Sequence, residues 1–265
     1  MNSLVCFIEK MKKLSTYFIL ASLFLFAGCI TNGEDEATVI GTKNQQINSA
    51  VTPRDFLSSE KYEKLVIEII YVPGYQPTDV TISSITSFLE ERLNKPGGVS
   101  VIKTATPAPE VATYSISDAE KIELTNRRQV TSGKTLTVYF FFANGDYTEN
   151  SGNSKVLGIT YGNSSVIIFE KTIRSISGGL SQPTVATMET IVMKHEFGHV
   201  FGLVDNGTSL TSAHLDTAHG KHCTDTGCLM YYNVETTDVI GNLLGGNIPS
   251  LTASCVADLR GNGGK

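Results

Sequence analysis

Histidine is missing from the first 194 residues of this 265-residue chain. All five histidines, His195, His199, His214, His219 and His222, then fall within one 28-residue window. A basic excess is missing too: 21 Lys and Arg stand against 26 Asp and Glu, for a net charge of -5. That balance argues against sequence-independent binding to nucleic-acid phosphates and leaves no nucleic acid among the expected partners. There is no CxxC pair, so a four-cysteine zinc site is excluded on ligand count. No internal repeat is found. No apolar run reaches the roughly 20 residues of a confident membrane span. What remains is an ordinary globular balance, with 41% hydrophobic and 18% charged residues. A wholly disordered or collagen-like chain would not show it.

The longest apolar stretch, Leu14 to Ala27, follows Lys10, Lys12 and Lys13 and precedes Gly28-Cys29. A basic segment, a short apolar core and small residues before a cleavage point are the layout of a secretory signal. Leu25-Phe26-Ala27-Gly28-Cys29 resembles a bacterial lipobox. That resemblance implies a signal peptide over 1–28, a lipid anchor on Cys29, and a place in the bacterial cell envelope, at the outer membrane or the cell surface. Met11 before Lys12-Lys13 also reads as a start, which would make residues 1–10 an extension. Without the first 28 residues the chain has 18 basic and 25 acidic residues, net -7. Residues 29–53 are polar and poor in aromatics and read as a flexible tether. Glu34-Asp35-Glu36 within it resembles the surface-export signal of some Bacteroidetes lipoproteins. The folded domain is expected over 54–265.

Three cysteines lie in that domain. Outside the cytosol disulfides persist, and Cys223 and Cys228, close in sequence, are expected to pair, leaving Cys255 over. The histidine cluster points elsewhere, because imidazole is the commonest protein ligand for transition metals.

Lys64–Val72 is a β-branched apolar run and reads as a buried strand. Thr78–Asn94 carries a helical apolar stripe and ends before Pro96-Gly97-Gly98. Val99–Lys103 reads as a strand, and Ser117 to about Gln129 as a helix with Glu120 in the capping-box position. Lys134–Ala143 reads as a strand. Lys155–Tyr161 and Ser165–Glu170 read as two strands around Gly162-Asn163. A long helix is expected over Thr184–Phe201, and a short one near Leu251–Arg260. This order predicts one mixed-sheet α/β domain.

The long helix carries the chemistry. Met188, Val192, His195 and His199 fall within about 60° of one another at 100° per residue. His195 and His199 are one turn apart and can grip one ion from the same side. Glu196 lies close enough to reach a water on that ion. This is the HExxH arrangement, for which zinc is the default metal. Gly202, three residues after His199, can take φ > 0 and end the helix.

HEFGHVFGL, residues 195–203, resembles the HExxHxxG core of the metzincin clan of zinc peptidases. The clan's third ligand normally lies three residues beyond the glycine, here Asp205. His222-Cys223, then Cys228 and Met230, is similar to the archaemetzincin pattern HC-x4-C-x-M. That resemblance implies His222 as third ligand and makes Val204–Lys221 largely an insertion. His214 and His219 stay as further alternatives. The family's additional CxxC pair is absent, so a second zinc site like theirs is not expected. Met230 would be the methionine of the Met-turn beneath the metal. Tyr232 has a spacing similar to the tyrosine of astacin-like enzymes that approaches the zinc, or it fills a core. Lys155–Tyr161 resembles the edge strand above a metzincin cleft, which pairs with an extended substrate.

The resemblance implies a metzincin-like zincin fold: a twisted mixed five-stranded sheet, backing helices, an active-site helix and a Met-turn. It implies a zinc endopeptidase acting on protein or peptide substrates, with one zinc on His195, His199 and His222 and with Glu196 as general base and acid. Two other readings stand beside it. One is a non-catalytic envelope lipoprotein that binds zinc or a protein. The other is a gluzincin-type peptidase with Glu235 as third ligand.

Overall fold

The computed structural model describes residues 51–109, 111–244 and 249–265. The signal peptide, Cys29 and all but the last residues of the expected tether lie outside the described residues. Val51 is buried, and Pro53 already opens the first helix, α1 (Pro53–Leu57). The last residues of the expected tether therefore belong to the folded part. Thr52 caps α1 reciprocally with Asp55.

Five strands form the main sheet: β1 (Lys64–Tyr71), β2 (Val99–Ala105), β4 (Thr135–Phe142), β6 (Gly158–Tyr161) and β7 (Ser165–Ile168). Their order is β2-β1-β4-β7-β6. All neighbours are parallel except β6, which runs antiparallel to β7 at one edge, with Gly158 opposite Ile168 and Tyr161 opposite Ser165. The mixed five-stranded sheet read from the sequence is thus present. A separate two-stranded ladder pairs β3 (Thr113–Tyr114) with β5 (Asp146–Tyr147).

Strand alternation sorts β4 between two apolar layers. Leu136, Val138, Phe140 and Phe142 join the larger core with α2 (Asp79–Arg92) and α5 (Val185–Val200). Tyr139 and Phe141 face the smaller one, with Tyr114 and Ala119. Phe140 and Phe197 rings meet at 5.0 Å and tie the sheet to α5. Each such buried aromatic contributes about 1.5–3 kcal/mol.

The helix expected from Ser117 begins earlier, as α3 (Ile116–Asn126). Ser115 is its cap and Asp118, not Glu120, closes the capping box. It also stops three residues short of Gln129, because the amides of Arg128 and Gln129 turn away to donate to the buried Glu68 carboxylate. Glu170, expected to end a strand, begins α4 (Glu170–Ser175). Beyond α5 the chain is loop-rich, with a 3₁₀ turn (Tyr232–Glu235), α6 (Val239–Leu244) and α7 (Ala253–Gly261). No helix among the described residues is long and apolar enough to cross a membrane.

Candidate metal centre

Helix α5 is capped by Thr184, whose hydroxyl accepts from the Thr187 amide. It is apolar on most sides, as a helix between a sheet and a loop layer must be. Its end is a Schellman turn: Leu203 N–H donates to Gly198 O and Gly202 N–H to His199 O. Gly202 sits at φ +69°, and a Cβ there would meet Pro53 Cγ at 2.5 Å. The glycine is required both by its left-handed backbone and by α1.

His195 and His199 project from one face with Nε2 atoms 3.1 Å apart. His222 joins them, its ring stacked on His195 at 5.4 Å and edge-on to His199 at 5.1 Å. The ligand atoms of His195, His199, His222 and Glu235 all lie within 4.8 Å of one another. Of Asp205, His214, His219 and His222, the structure brings only His222 into this cluster. Asp205 is exposed at φ +61° and uses its carbonyl to accept from Lys221 Nζ. His214 is buried against Asp258 and Cys223. His219 pairs with Asp216 and stacks on Tyr232 at 3.6 Å. Tyr232 thus has its ring on His219.

The tautomers follow from the hydrogen bonds. His195 Nδ1 donates to Leu229 O at 2.6 Å, and His222 Nδ1 donates to His219 O at 3.1 Å. Both protons are placed on the outer nitrogens, and both Nε2 lone pairs face the common centre. His222 Nε2 is buried with no hydrogen-bond partner. Burial, and then the facing rings of His195 and His222, hold His199 well below the usual histidine range, in its neutral form. Ligands of one tetrahedral zinc with bonds of about 2.0–2.1 Å would stand about 3.3 Å apart. The donor set therefore fits a zinc ion.

Glu196 is fully buried one residue along. Its Oε2 accepts from the Thr160 hydroxyl of β6 at 2.8 Å, while Oε1 has no partner. Burial pushes its carboxyl up to about 7, with the His195 ring opposing and Glu235 adding to the rise. Gly158, also on β6, makes room for it: a Cβ there would lie 2.8 Å from Glu196 Oε1. Thr160 and Gly158 were not singled out in the sequence. Their signal was the i, i+2 spacing that puts both on one face of an edge strand.

Met230 lies on the inner face of α5. A Cβ on Gly198 would meet its Sδ at 2.1 Å. The turn around it is closed by Tyr231 N–H to Cys228 O, and Cys223 N–H donates to Met230 O at 2.7 Å. Cys223, Cys228 and Cys255 are all free thiols, which corrects the expected Cys223–Cys228 disulfide. The physical reason lies in their neighbours: Cys228 Sγ faces Cys255 at 3.5 Å, and Cys223 Sγ faces His214.

Glu235 was the third ligand of the rival gluzincin reading, in place of His222. The structure holds both. Glu235 Oε2 stands 3.3 Å from His222 Nε2, 3.8 Å from His195 Nε2 and 3.9 Å from His199 Nε2. Burial opposes its charge, but the His195 and His222 rings more than offset this and hold the carboxyl below the usual range. Its backbone is fixed by Leu157 N–H donating to Glu235 O at 2.7 Å.

No family model matches the chain, and no curated protein matches it. Among solved structures the chain is similar to archaemetzincin from Methanopyrus kandleri, at 16% identity over 76% of this chain and 96% of that chain, with a TM-score of 0.49.

Proposed function

We propose that the chain is a zinc-dependent endopeptidase in which His195, His199 and His222 hold one zinc ion and Glu196 is general base and acid. One observation carries this reading: three imidazoles, those of His195 and His222 buried and that of His199 partly so, turn their Nε2 atoms to one point, beside a carboxylate with one free oxygen. Bound there, zinc would lower the pKa of a water to about 7 and polarise a substrate carbonyl. Glu196 takes the proton of the attacking water at its free Oε1. It then returns that proton to the amine nitrogen as the peptide C–N bond breaks. Thr160 holds Oε2 and so aims Oε1. Met230 supports the helix from its inner face. The open edge of β6 offers backbone groups to an extended peptide, the recognition mode of strand addition.

A second reading has its own observation. Glu235 sits at the fourth corner of the histidine group, and a closed four-donor shell is the mark of a structural site. It corresponds to a non-catalytic zinc-binding lipoprotein. In the peptidase reading Glu235, whose side chain is 31% exposed, gives way to substrate. Cleavage of casein or a peptide library decides. The peptidase reading expects turnover that is lost on chelation, restored by zinc, and kept in Glu235→Ala. Zinc binding without turnover in the wild type and in Glu235→Ala would establish the non-catalytic reading instead. The lipobox further proposes that the domain is tethered to the envelope through Cys29.

A further inference from the structure

His214 and the three cysteines play no part in the histidine centre, yet they converge. His214 Nδ1 lies 3.4 Å from Cys223 Sγ and 3.9 Å from Cys255 Sγ, and the three ligand atoms are all within 4.8 Å of one another. Cys228 Sγ stands beside this triangle, 3.5 Å from Cys255 Sγ. All four side chains are buried and the thiols are free. The imidazole is oriented from behind. His214 Nε2 donates to Asp258 Oδ2 at 2.8 Å, and Asp258 Oδ1 is fixed by the Thr211 amide and hydroxyl at 2.7 Å each. With its proton on Nε2, His214 presents the Nδ1 lone pair to sulfur. A carboxylate behind a histidine that faces other donors is the outer shell of a metal ligand.

We propose that Cys223, Cys228, Cys255 and His214 hold a second metal ion, a structural zinc. Thiolate with imidazole selects zinc among the common divalent ions, and a closed set of four protein donors is the structural type. This is not the four-cysteine set of the archaemetzincin pattern, for which the chain lacks the CxxC pair. Here a histidine from the segment read as an insertion, and a cysteine from α7, complete the shell. On binding, the three thiols release their protons to solvent, and His214 keeps its Nε2–H bond to Asp258. The ion joins three stretches of chain: the His214–Cys223 loop, the Cys228–Met230 turn and α7. Cys223 directly follows His222, so the clamp also steadies the third imidazole of the histidine centre. The proposal does not depend on peptidase activity.

The test is cobalt loading of the purified, metal-stripped protein. Sulfur-to-cobalt charge-transfer absorption arises only where thiolates bind, so it reports this site and not the histidine centre. We expect a second equivalent of metal and a charge-transfer band that persists in the His195→Ala/His199→Ala variant. The band should disappear in Cys223→Ser and Cys255→Ser. Cys-to-Ser variants that fail to fold leave two others: Asp258→Asn should weaken cobalt binding about 10–100-fold with the fold kept, and His214→Cys should keep the site with stronger sulfur absorption. A wild type with reduced thiols and no charge-transfer band would overturn the proposal. So would a Cys228–Cys255 disulfide found by mass spectrometry in protein isolated without reductant.

Discussion

Gly198→Ala tests the packing of the metal-bearing helix on the turn around Met230. The added methyl would sit 2.1 Å from Met230 Sδ and 2.9 Å from its Cε. Ordinary contact between such atoms is about 3.5–4.0 Å, so the sulfur must retreat by about 1.5 Å. Met230 is fully buried and has no open side to retreat into. Overpacking of this kind destabilises by about 1–3 kcal/mol or more, and the better helix propensity of alanine returns about 1 kcal/mol. A 2.1 Å approach belongs at the upper end of that range, so a net loss of about 2 kcal/mol in urea unfolding is expected. Met230→Ala alone should lose about 2–5 kcal/mol through the cavity it leaves. In the double variant the alanine methyl fills part of that cavity. The combined loss should therefore fall short of the sum by about 0.5–3 kcal/mol. Zinc affinity should follow stability, because Leu229, next to Met230, supplies the carbonyl that orients His195. Wild-type stability in Gly198→Ala, or strict additivity with Met230→Ala, would refute the contact.

Three further expectations follow from the same residues and the sequence motifs. Glu170 is pushed up to about 9 by burial, with Glu189 beside it, while Arg174 opposes the rise. Its folded value lies above the unfolded value of about 4.3, so its contribution is full below that pH and is lost as pH rises toward about 9. Thermal unfolding from about pH 5 to pH 9 should therefore show a falling wild-type midpoint and a flatter Glu170→Gln profile; parallel profiles would contradict the sign. Zinc affinity measured side by side should drop steeply in His222→Ala and stay near wild type in Asp205→Ala, and the reverse order would transfer the third ligand to Asp205. Mass spectrometry of the mature N-terminus should find acyl mass on Cys29, and Cys29→Ser should leave the membrane fraction or accumulate as precursor.

The sheet was legible because each strand is a β-branched or aromatic run bounded by turn residues, as in Lys64–Tyr71 and Thr135–Phe142. The helix of HExxH was legible because its spacing is itself the chemistry. Short elements were not. Glu170–Ser175 has only two turns, and its first residue is a buried glutamate that accepts from Arg174 Nε, a burial that apolar periodicity does not signal. Sequence spacing left Asp205, His214, His219 and His222 open as the third ligand, since a loop of 20 or more residues can return by many routes. The same limit hid the partners of Cys223. A short gap to Cys228 suggested a disulfide, whereas His214, Cys255 and Asp258 reach the cluster from separate segments. Glu235 and His222 were weighed as alternatives and turned out to be neighbours.

The most direct measurement of the central claim is peptide turnover by zinc-loaded Glu196→Gln against zinc-loaded wild type, with metal content determined on the same samples. The amide keeps the shape that Thr160 and Gly158 surround but cannot carry the proton. The account predicts equal zinc and a turnover reduced about 10²–10⁴-fold. Equal zinc with equal turnover would contradict it.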